Sequence, residues 1–161
     1  MRYVLDTNVM IEAHRRYYAF DLAPKFWQEL IDHFSSGDVG SIDKIRAEIM
    51  LNKDPLATWV ASNLRQFDSS AEPDIVKAYR EIISWANNHT QYSPQAKAAL
   101  ANVADGWLVA YAKAKDCIVI TMEAPSPQSV RVIKIPDICN QFSVPFLNTY
   151  DMLRQIGVQF N

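Results

Sequence analysis

Short apolar runs alternate along the chain with stretches whose apolar residues recur at helical spacing, and this order predicts an α/β fold. Strands are predicted at residues 2–5, 39–42, 117–121, 130–135 and 145–147. Helices are predicted at residues 9–14, 24–34, 43–51, 56–66, 73–88, 103–115, 136–142 and 150–156. Because the strands are short and almost wholly apolar, we expect a three-layer α/β/α arrangement with a central, mainly parallel sheet and a helical middle section.

Nothing in the sequence separates one part of the chain from another. The 161 residues include 4 Gly and 8 Pro, and they contain no Gly-Ser tract, repeat or block of charge. We therefore expect a single domain over residues 1–161. The formal net charge of −2 excludes a uniformly basic surface for holding duplex nucleic acid, but it leaves room for a local basic groove.

We expect neither a membrane helix nor a secretory signal in this sequence. No apolar run approaches the roughly 20 residues that a membrane helix needs. The first residues include Asp6 and lack an apolar signal-peptide core, so we expect a cytoplasmic protein with no membrane contact. Cys117 and Cys139 form no CxxC motif, which favours buried free thiols over a disulfide or a zinc site.

Three common catalytic or phosphate-binding motifs are absent from the sequence. There is no G-x-G-x-x-G for a dinucleotide, no G-x-x-x-x-G-K-[ST] for a nucleoside triphosphate and no G-x-S-x-G nucleophile elbow. The polar residues that follow the predicted strands are instead acidic.

Two of these acids are predicted to lie at one edge of the sheet. Asp6 follows the first strand, and Glu123 lies two residues beyond Thr121, where another strand ends. The carboxyl ends of parallel strands share the edge where ligands bind in such sheets. Asp105 opens the helix that leads into residues 117–121. About 11 residues of helix and about 5 of strand each cover roughly 16 Å, which returns Asp105 to the edge that carries Glu123.

Asp105 and Glu48 lie close to apolar helix faces, where a carboxylate needs a partner. Asp105 shares a face with Leu108, and Glu48 lies beside the apolar stripe of Ile45 and Ile49. The distance of Glu48 from the sheet edge does not follow from its spacing.

Four converging carboxylates, with Asn8 and Thr121 as neutral polar neighbours, would repel one another without a cation. Carboxylate oxygens select Mg²⁺ or Mn²⁺ rather than zinc. Such ions bind a phosphodiester oxygen and lower the pKa of bound water, so phosphodiester hydrolysis is the chemistry that fits.

Each acid also has an ordinary structural explanation. Asp6 is a suitable helix N-cap, and Asp105 in a first helical turn interacts favourably with the helix dipole. Glu48 is equally compatible with a solvated helix position, and Glu123 with a solvated loop. Their joint placement is what favours a shared site.

The segment Tyr3-Val4-Leu5-Asp6-Thr7-Asn8-Val9 resembles the opening of PIN domains, the nuclease fold of VapC-type toxins. The same family order is followed by three further acids in their local contexts: Glu48 in residues 45–49, Asp105 in residues 104–112 and Glu123 in residues 118–123. The resemblance extends from Arg2 to about Tyr150, and it is greatest to a PIN-like branch that also carries Phe26-Trp27 and Lys134-Ile135-Pro136.

The resemblance implies an endoribonuclease that depends on Mg²⁺ or Mn²⁺ and hydrolyses single-stranded or loop RNA. The implied catalytic residues and metal ligands are Asp6, Glu48, Asp105 and Glu123. It also implies that Asn8 and Thr121 orient carboxylates or water. A toxin of this kind is restrained by a separately encoded antitoxin, and the Trp and Tyr residues of the helices suit an antitoxin or homodimer surface.

Two features depart from the commoner family pattern. Glu rather than Asp stands at position 123, and its longer side chain leaves both direct ligation and ligation through water open. The helical section from Leu56 to about Leu100 matches the VapC pattern poorly, so substrate specificity does not transfer.

Several basic and aromatic residues are candidate substrate contacts. The candidate phosphate-binding residues are Arg15, Arg16, Arg46 and Lys134, with Lys44 and Arg131 as further cations. Tyr17, Tyr18 and Phe20 are candidates for base stacking. Solvated helix surfaces and ordinary core packing explain the same residues without a ligand.

Three other functions are weighed against the nuclease. A phosphoacceptor signalling domain would need an acidic pair after the first strand, whereas Thr7 and Asn8 follow Asp6. A DNA flap or nick nuclease would need additional helices to bind a duplex. A catalytically silent PIN-like module that binds RNA or protein is the main alternative, although acids at all four positions argue against it.

Overall fold

A computed structural model describes residues 2–159, and its centre is a five-stranded sheet in which every pairing is parallel. The strands are β1 (Tyr3–Leu5), β2 (Val39–Ile42), β3 (Phe67–Asp68), β4 (Ile118–Ile120) and β5 (Phe146–Leu147). Their order across the sheet is β3-β2-β1-β4-β5, so the first strand lies at the centre. The predicted α/β class and parallel sheet are confirmed.

Helices pack on both faces of the sheet. In the described residues they are α1 (Thr7–Glu12), α2 (Pro24–Ser36), α3 (Asp43–Leu51), α4 (Pro55–Asn63), α5 (Pro73–Asn88), α6 (Pro94–Asn102), α7 (Asp105–Lys115), α8 (Ile135–Phe142) and α9 (Thr149–Gln155). Val39 faces α2 and α9, where it lines a small apolar cavity with Phe26 and Met152. The next residue, Gly40, lies on the opposite face beneath Arg2, on the side of α7. The predicted three-layer arrangement is confirmed.

The ends of β1, β2 and β4 lie at the same edge of the sheet. Leu5 is level with Ile120 of β4, and the backbone N–H of Asp6 donates a hydrogen bond of 3.0 Å to the carbonyl of Ile120. β2 runs parallel to β1 and ends toward the same edge, where α3 begins directly at Asp43. The apolar runs that predicted these strands have buried centres, with Val4 and Val119 both 0% exposed, whereas Tyr3 and Ile118 at the strand starts are half-buried.

Arg2, which directly precedes the central strand β1, contacts both the edge strand β3 and α7. Its guanidinium forms an ion pair with Asp68 and donates a hydrogen bond of 2.9 Å to the hydroxyl of Tyr111 on α7. Tyr111 in turn donates to Asp68. Gly40 leaves the space that this arrangement needs, because a Cβ there would lie 1.8 Å from Nη2 of Arg2. Partial burial raises the pKa of Asp68, but the hydrogen bonds from Tyr111 and Arg2 lower it below its ordinary value.

The prediction of a strand at residues 130–135 is wrong. Residues 130–134 form a loop, and Ile135 begins α8. The alternation that suggested a strand has a different cause: Ile133 and Ile135 are buried, whereas Val130 and Val132 are 51% and 48% exposed. Pro136 favours a helix start at this point, and β5 occupies the position beside β4 where another strand would pair.

Two elements of the middle section were not predicted from the sequence. β3 is only two residues long and pairs with the end of β2, so a section expected to be wholly helical also contributes a strand to the sheet. The second is α6, whose N-terminus carries recognisable signals. Ser93 accepts a hydrogen bond of 3.1 Å from the N–H of Ala96, and Pro94 occupies the first turn.

Other expectations concern the thiols and the membrane. Cys117 and Cys139 are both buried and free, as predicted. No helix within residues 2–159 combines the length and the apolar character required to cross a bilayer.

Candidate active site

Four chain segments place the predicted acids at the same edge of the sheet. Asp6 lies between β1 and α1, Asp105 is the first residue of α7, and Glu48 lies in the second turn of α3. Glu123 follows β4 by three residues. The charges of Asp105 and Glu123 raise the pKa of Asp6, and those of Glu123 and Glu48 raise the pKa of Asp105, so the four carboxylates lie near one another; we call them the acidic cluster.

Asp6 is the most deeply buried member of this cluster, with 1% of its surface exposed. The hydroxyl of the buried Thr121 donates a hydrogen bond of 3.2 Å to Oδ2 of Asp6. The same hydroxyl accepts a hydrogen bond of 3.1 Å from the backbone N–H of Glu123. Thr121 therefore holds the loop after β4 in position relative to Asp6. Asp6 occupies the N-cap position of α1, but its side chain makes no capping hydrogen bond, so the ordinary N-cap explanation does not account for it.

Both oxygens of Glu48 are hydrogen-bonded to neighbouring elements. Oε1 accepts a hydrogen bond of 2.6 Å from the hydroxyl of Thr7, the first residue of α1. Oε2 accepts one of 2.8 Å from the backbone N–H of Ala104, which is the N-cap residue of α7. Glu48 therefore ties α3 to the two helix starts that carry Asp6 and Asp105.

Glu123 is oriented by α8. Its Oε2 accepts a hydrogen bond of 2.8 Å from the backbone N–H of Ile135, the first residue of that helix. The partial positive charge of a helix N-terminus favours a carboxylate in this position. Lys134, which precedes Ile135, is close enough to Asp105 to lower the pKa of that acid, so the side of the cluster nearest α8 also carries positive charge.

Burial and mutual repulsion raise the pKa of two members of the cluster. Burial raises the pKa of Asp6 from 3.8 to about 8, with further increases from the carboxylates of Asp105 and Glu123. Burial raises the pKa of Asp105 from 3.8 to about 7, with further increases from Glu123 and Glu48. Full ionisation of the four carboxylates is therefore unfavourable without a compensating cation.

The donor chemistry of the cluster fits a divalent cation. A buried group of carboxylates is stabilised by a bound cation, and oxygen ligands of this kind suit Mg²⁺ or Mn²⁺. Within residues 2–159, no three Asp, Glu, His or Cys side chains stand together in an arrangement that encloses an ion. The fit therefore rests on charge, burial and ligand type.

The remaining predicted residues lie at different distances from the cluster. Asn8 is exposed on α1, and Thr7 rather than Asn8 forms the hydrogen bond with an acid. Arg15 and Arg16 are exposed on the π-helical turn Ala13–Tyr17 that continues α1, and roughly 14 Å of helix separates Arg15 from Asp6. Arg16 forms an ion pair with Glu12 at 3.3 Å.

Arg46 and Lys134 complete the predicted set. Both are half-buried, Arg46 on α3 and Lys134 at the start of α8. The charge of Lys134 lowers the pKa of Asp105. These assignments to substrate binding stay predictions.

Sequence reasoning did not single out Thr7, although it directly follows Asp6. Its position could have indicated a role, because Thr7 is the first residue of a helix that starts directly after Asp6 and therefore lies at the same edge of the sheet as that acid. Sequence reasoning also gave no role to Trp107, which the structure places in a cleft that Glu48 also lines. It lies two residues after Asp105, and its indole stacks on Tyr79 with the ring centroids 3.7 Å apart.

Comparisons with solved structures define the class of fold. The structure is similar to that of VapBC2 from Rickettsia felis, solved bound to a DNA fragment from their promoter, with a TM-score of 0.54 and 12% identity. It is also similar to FitAcB from Neisseria gonorrhoeae, with a TM-score of 0.52 and 18% identity. Each similarity covers 92% of this chain and 98% of the other chain. The predicted PIN-like fold is thereby confirmed.

Residues 3–160 match the family model described as Domain of unknown function (DUF4411), and the chain belongs to this family. No curated protein matches the chain.

Proposed function

We propose that this protein is an endoribonuclease that depends on Mg²⁺ or Mn²⁺ and hydrolyses phosphodiester bonds of single-stranded RNA. The main support is the buried carboxylate of Asp6 at a sheet edge shared with Asp105, Glu48 and Glu123. A structural N-cap or a solvated acid would not be buried among other acids. The PIN-like fold supports the same reaction class.

The residues that would hold the ion are Asp6 and Asp105, with Glu48 and Glu123 directly or through water. When bound, a divalent cation would neutralise the cluster, bind a phosphodiester oxygen and lower the pKa of water. The chain itself orients the acids. Thr121 holds Asp6, whereas Thr7 and Ala104 hold Glu48.

Glu123 has a different part in the proposal. Its hydrogen bond with Ile135 uses the extra length of Glu relative to Asp to reach the start of α8. One carboxylate oxygen is thereby held by α8, and Oε1 is the oxygen that we assign to the ion or to a water molecule. Lys134, next in the chain to Ile135, offers positive charge to a phosphate that approaches the acids.

We further propose that the protein is the toxin of a toxin–antitoxin pair and is restrained by a separately encoded antitoxin. The resemblance to VapC-type toxins and the likeness to the VapBC2 and FitAcB structures support this proposal. A homodimer through the aromatic residues of the helices stays a prediction.

The function is tested by incubating the purified protein with matched single-stranded RNA and DNA oligonucleotides in Mg²⁺, Mn²⁺ or chelator. We expect cleavage of RNA that requires the metal and is lost in Asp6→Asn. Asp6→Asn, purified in the same way, controls for contaminating ribonuclease, and Asp21→Asn, which changes an exposed acid outside the cluster, should cleave like the parent. Cleavage that persists in Asp6→Asn or in chelator would contradict the proposal. RNA binding without cleavage in any metal would favour the silent binding module.

A further inference from the structure

A surface cleft of about 390 Å³ adjoins the acidic cluster, with which it shares Glu48. Residues of α3 and of the segment leading into α7 form its walls, and they include Lys44, Glu48, Leu51, Val103 and Trp107. Glu48 belongs to both the cleft and the cluster. The cleft has the volume of a small-ligand site and contains both apolar and charged groups.

Trp107 is held in a fixed orientation in this cleft. Its indole is half-buried and lies parallel to the ring of Tyr79, with an interplanar angle of 6°. The ammonium of Lys44 lies over the indole, 4.7 Å from the ring centroid. Because Tyr79 covers one face of the indole at a ring-centroid distance of 3.7 Å, Lys44 lies over the other face. One face of the Trp107 indole therefore packs on Tyr79, and the flexible side chain of Lys44 covers the other face.

Lys44 is available for a new partner. Among the described residues it forms no ion pair, and its ammonium contacts the indole instead. A lysine side chain rotates easily about its four-carbon stem, so a planar ligand can replace the ammonium on the indole at small cost. The displaced ammonium would remain at the cleft, where it can pair with an anion.

The cleft and the acids are connected by short stretches of chain. Trp107 lies two residues after Asp105 on α7, and Lys44 lies one helical turn before Glu48 on α3. Glu48 accepts a hydrogen bond from Ala104, which also borders the cleft. Lys134 is also near the cluster, since its charge lowers the pKa of Asp105. Lys44 and Lys134 thus both lie near the acids, and an aromatic surface accompanies Lys44.

We infer that this cleft binds the nucleotide next to the scissile phosphate of a single-stranded nucleic acid. The base stacks on Trp107, Lys44 pairs with the adjoining phosphate, and the strand continues past the acids toward Lys134. Stacking on an aromatic ring and pairing with a flexible cation are the interactions that single-stranded nucleic acids use without a fixed sequence. The inference rests on the proposed nuclease function and names the substrate-binding residues of the same site.

The test measures binding separately from cleavage. Fluorescein-labelled RNA and DNA 12-mers of the same sequence are titrated in Mg²⁺ with Asp6→Asn, which is expected not to cleave, and binding is followed by anisotropy. In this background, Trp107→Ala should weaken binding roughly tenfold or more, whereas Trp107→Phe keeps a stacking ring and should stay within about threefold. Lys44→Ala should weaken binding and reduce its salt dependence by about one phosphate contact, and Lys44→Arg should preserve both.

Two controls address folding and location. Lys25→Ala removes an exposed lysine from α2 and should bind like its parent. Unlabelled oligonucleotide should quench tryptophan fluorescence. The quenching should persist in Trp85→Phe but disappear in Trp107→Phe. Because Trp107→Phe keeps an aromatic ring at position 107, this measurement does not depend on whether Trp107→Ala folds. A preference for the RNA strand would indicate that the 2′-hydroxyl contributes.

The outcomes separate the inference from the proposed function. If the parent cleaves RNA while Trp107→Ala and Lys44→Ala bind as tightly as their controls, the cleft is not the substrate site and the nuclease stands. If the protein neither cleaves nor binds any oligonucleotide, both fail together. Quenching that survives in Trp107→Phe would also overturn the assignment of the base to this indole.

Discussion

Glu123 accepts a hydrogen bond of 2.8 Å from the backbone N–H of Ile135, and this contact joins the acidic cluster to the start of α8. A carboxylate at position 123 must be long enough to reach that N–H. The relationship explains structurally why a Glu occupies a position where the commoner family pattern has Asp.

Shortening this side chain should therefore impair both stability and activity. We expect Glu123→Asp to lose the contact with Ile135 and to lower the free energy of unfolding by ~1.5–3 kcal/mol, the range of a hydrogen bond to a charged group. RNA cleavage should fall with it. Urea unfolding and initial cleavage rates measure the two effects. Glu123→Gln keeps an acceptor of the same length, so equal destabilisation by both substitutions would contradict this account.

Thr7 should be required for activity because it orients Glu48 through a hydrogen bond of 2.6 Å. Removing a group that orients a metal ligand commonly costs about 10- to 100-fold in activity or metal affinity. We expect a loss of this size in Thr7→Val, measured as the cleavage rate at a series of Mn²⁺ concentrations. Thr7→Ser keeps the hydroxyl and should retain most of the activity. A Thr7→Val protein with the parent's rate and metal dependence would show that Glu48 needs no such support.

The metal-free protein should lose stability as the pH rises. Asp6 has an unfolded pKa near 3.8 and a folded pKa of about 8, so between these values the folded state binds more protons than the unfolded state. The free energy of unfolding therefore falls with increasing pH, and Asp105, with a folded pKa of about 7, adds to the fall.

Thermal melting in chelator at pH 5, 6, 7 and 8 tests this expectation. Asp6→Asn should flatten the dependence and should be more stable than the parent at pH 8, by an amount on the order of a few kcal/mol. Addition of Mn²⁺ should stabilise the parent at pH 8 more than it stabilises Asp6→Asn. A parent protein that becomes more stable between pH 5 and pH 8 in chelator would show that the acids do not repel one another as described.

Gly40 should be needed because Arg2 passes over it. A Cβ at position 40 would lie 1.8 Å from Nη2 of Arg2, so it would displace the guanidinium from Asp68 and Tyr111. Because the far end of a flexible side chain can move, we expect Gly40→Ala to cost only about 1–2 kcal/mol, measured by urea unfolding. In an Arg2→Ala background the same substitution should cost much less. Equal costs in both backgrounds would mean that Arg2 is not the cause.

Much of the fold follows from local patterns. The apolar runs at residues 39–42 and 117–121 contain β2 and β4, and the predicted helix at residues 24–34 lies within α2. Burial of a strand or of a helix face leaves a regular signature in the residues themselves. Residues 130–135 alternate between buried and exposed side chains although residues 130–134 form a loop, and this pattern produced the false strand prediction. β3 was missed because two residues are too few to establish a period.

The sequence alone also placed Asp6, Asp105 and Glu123 at one edge, since the direction of parallel strands and the length of the returning helix determine where each acid lies. Only the tertiary structure decided how Glu48, Thr7 and Ala104 meet, and how Trp107 comes to lie between Tyr79 and Lys44. Those contacts join residues far apart in the chain. They depend on how whole helices pack against one another, and no local spacing of residues records that packing.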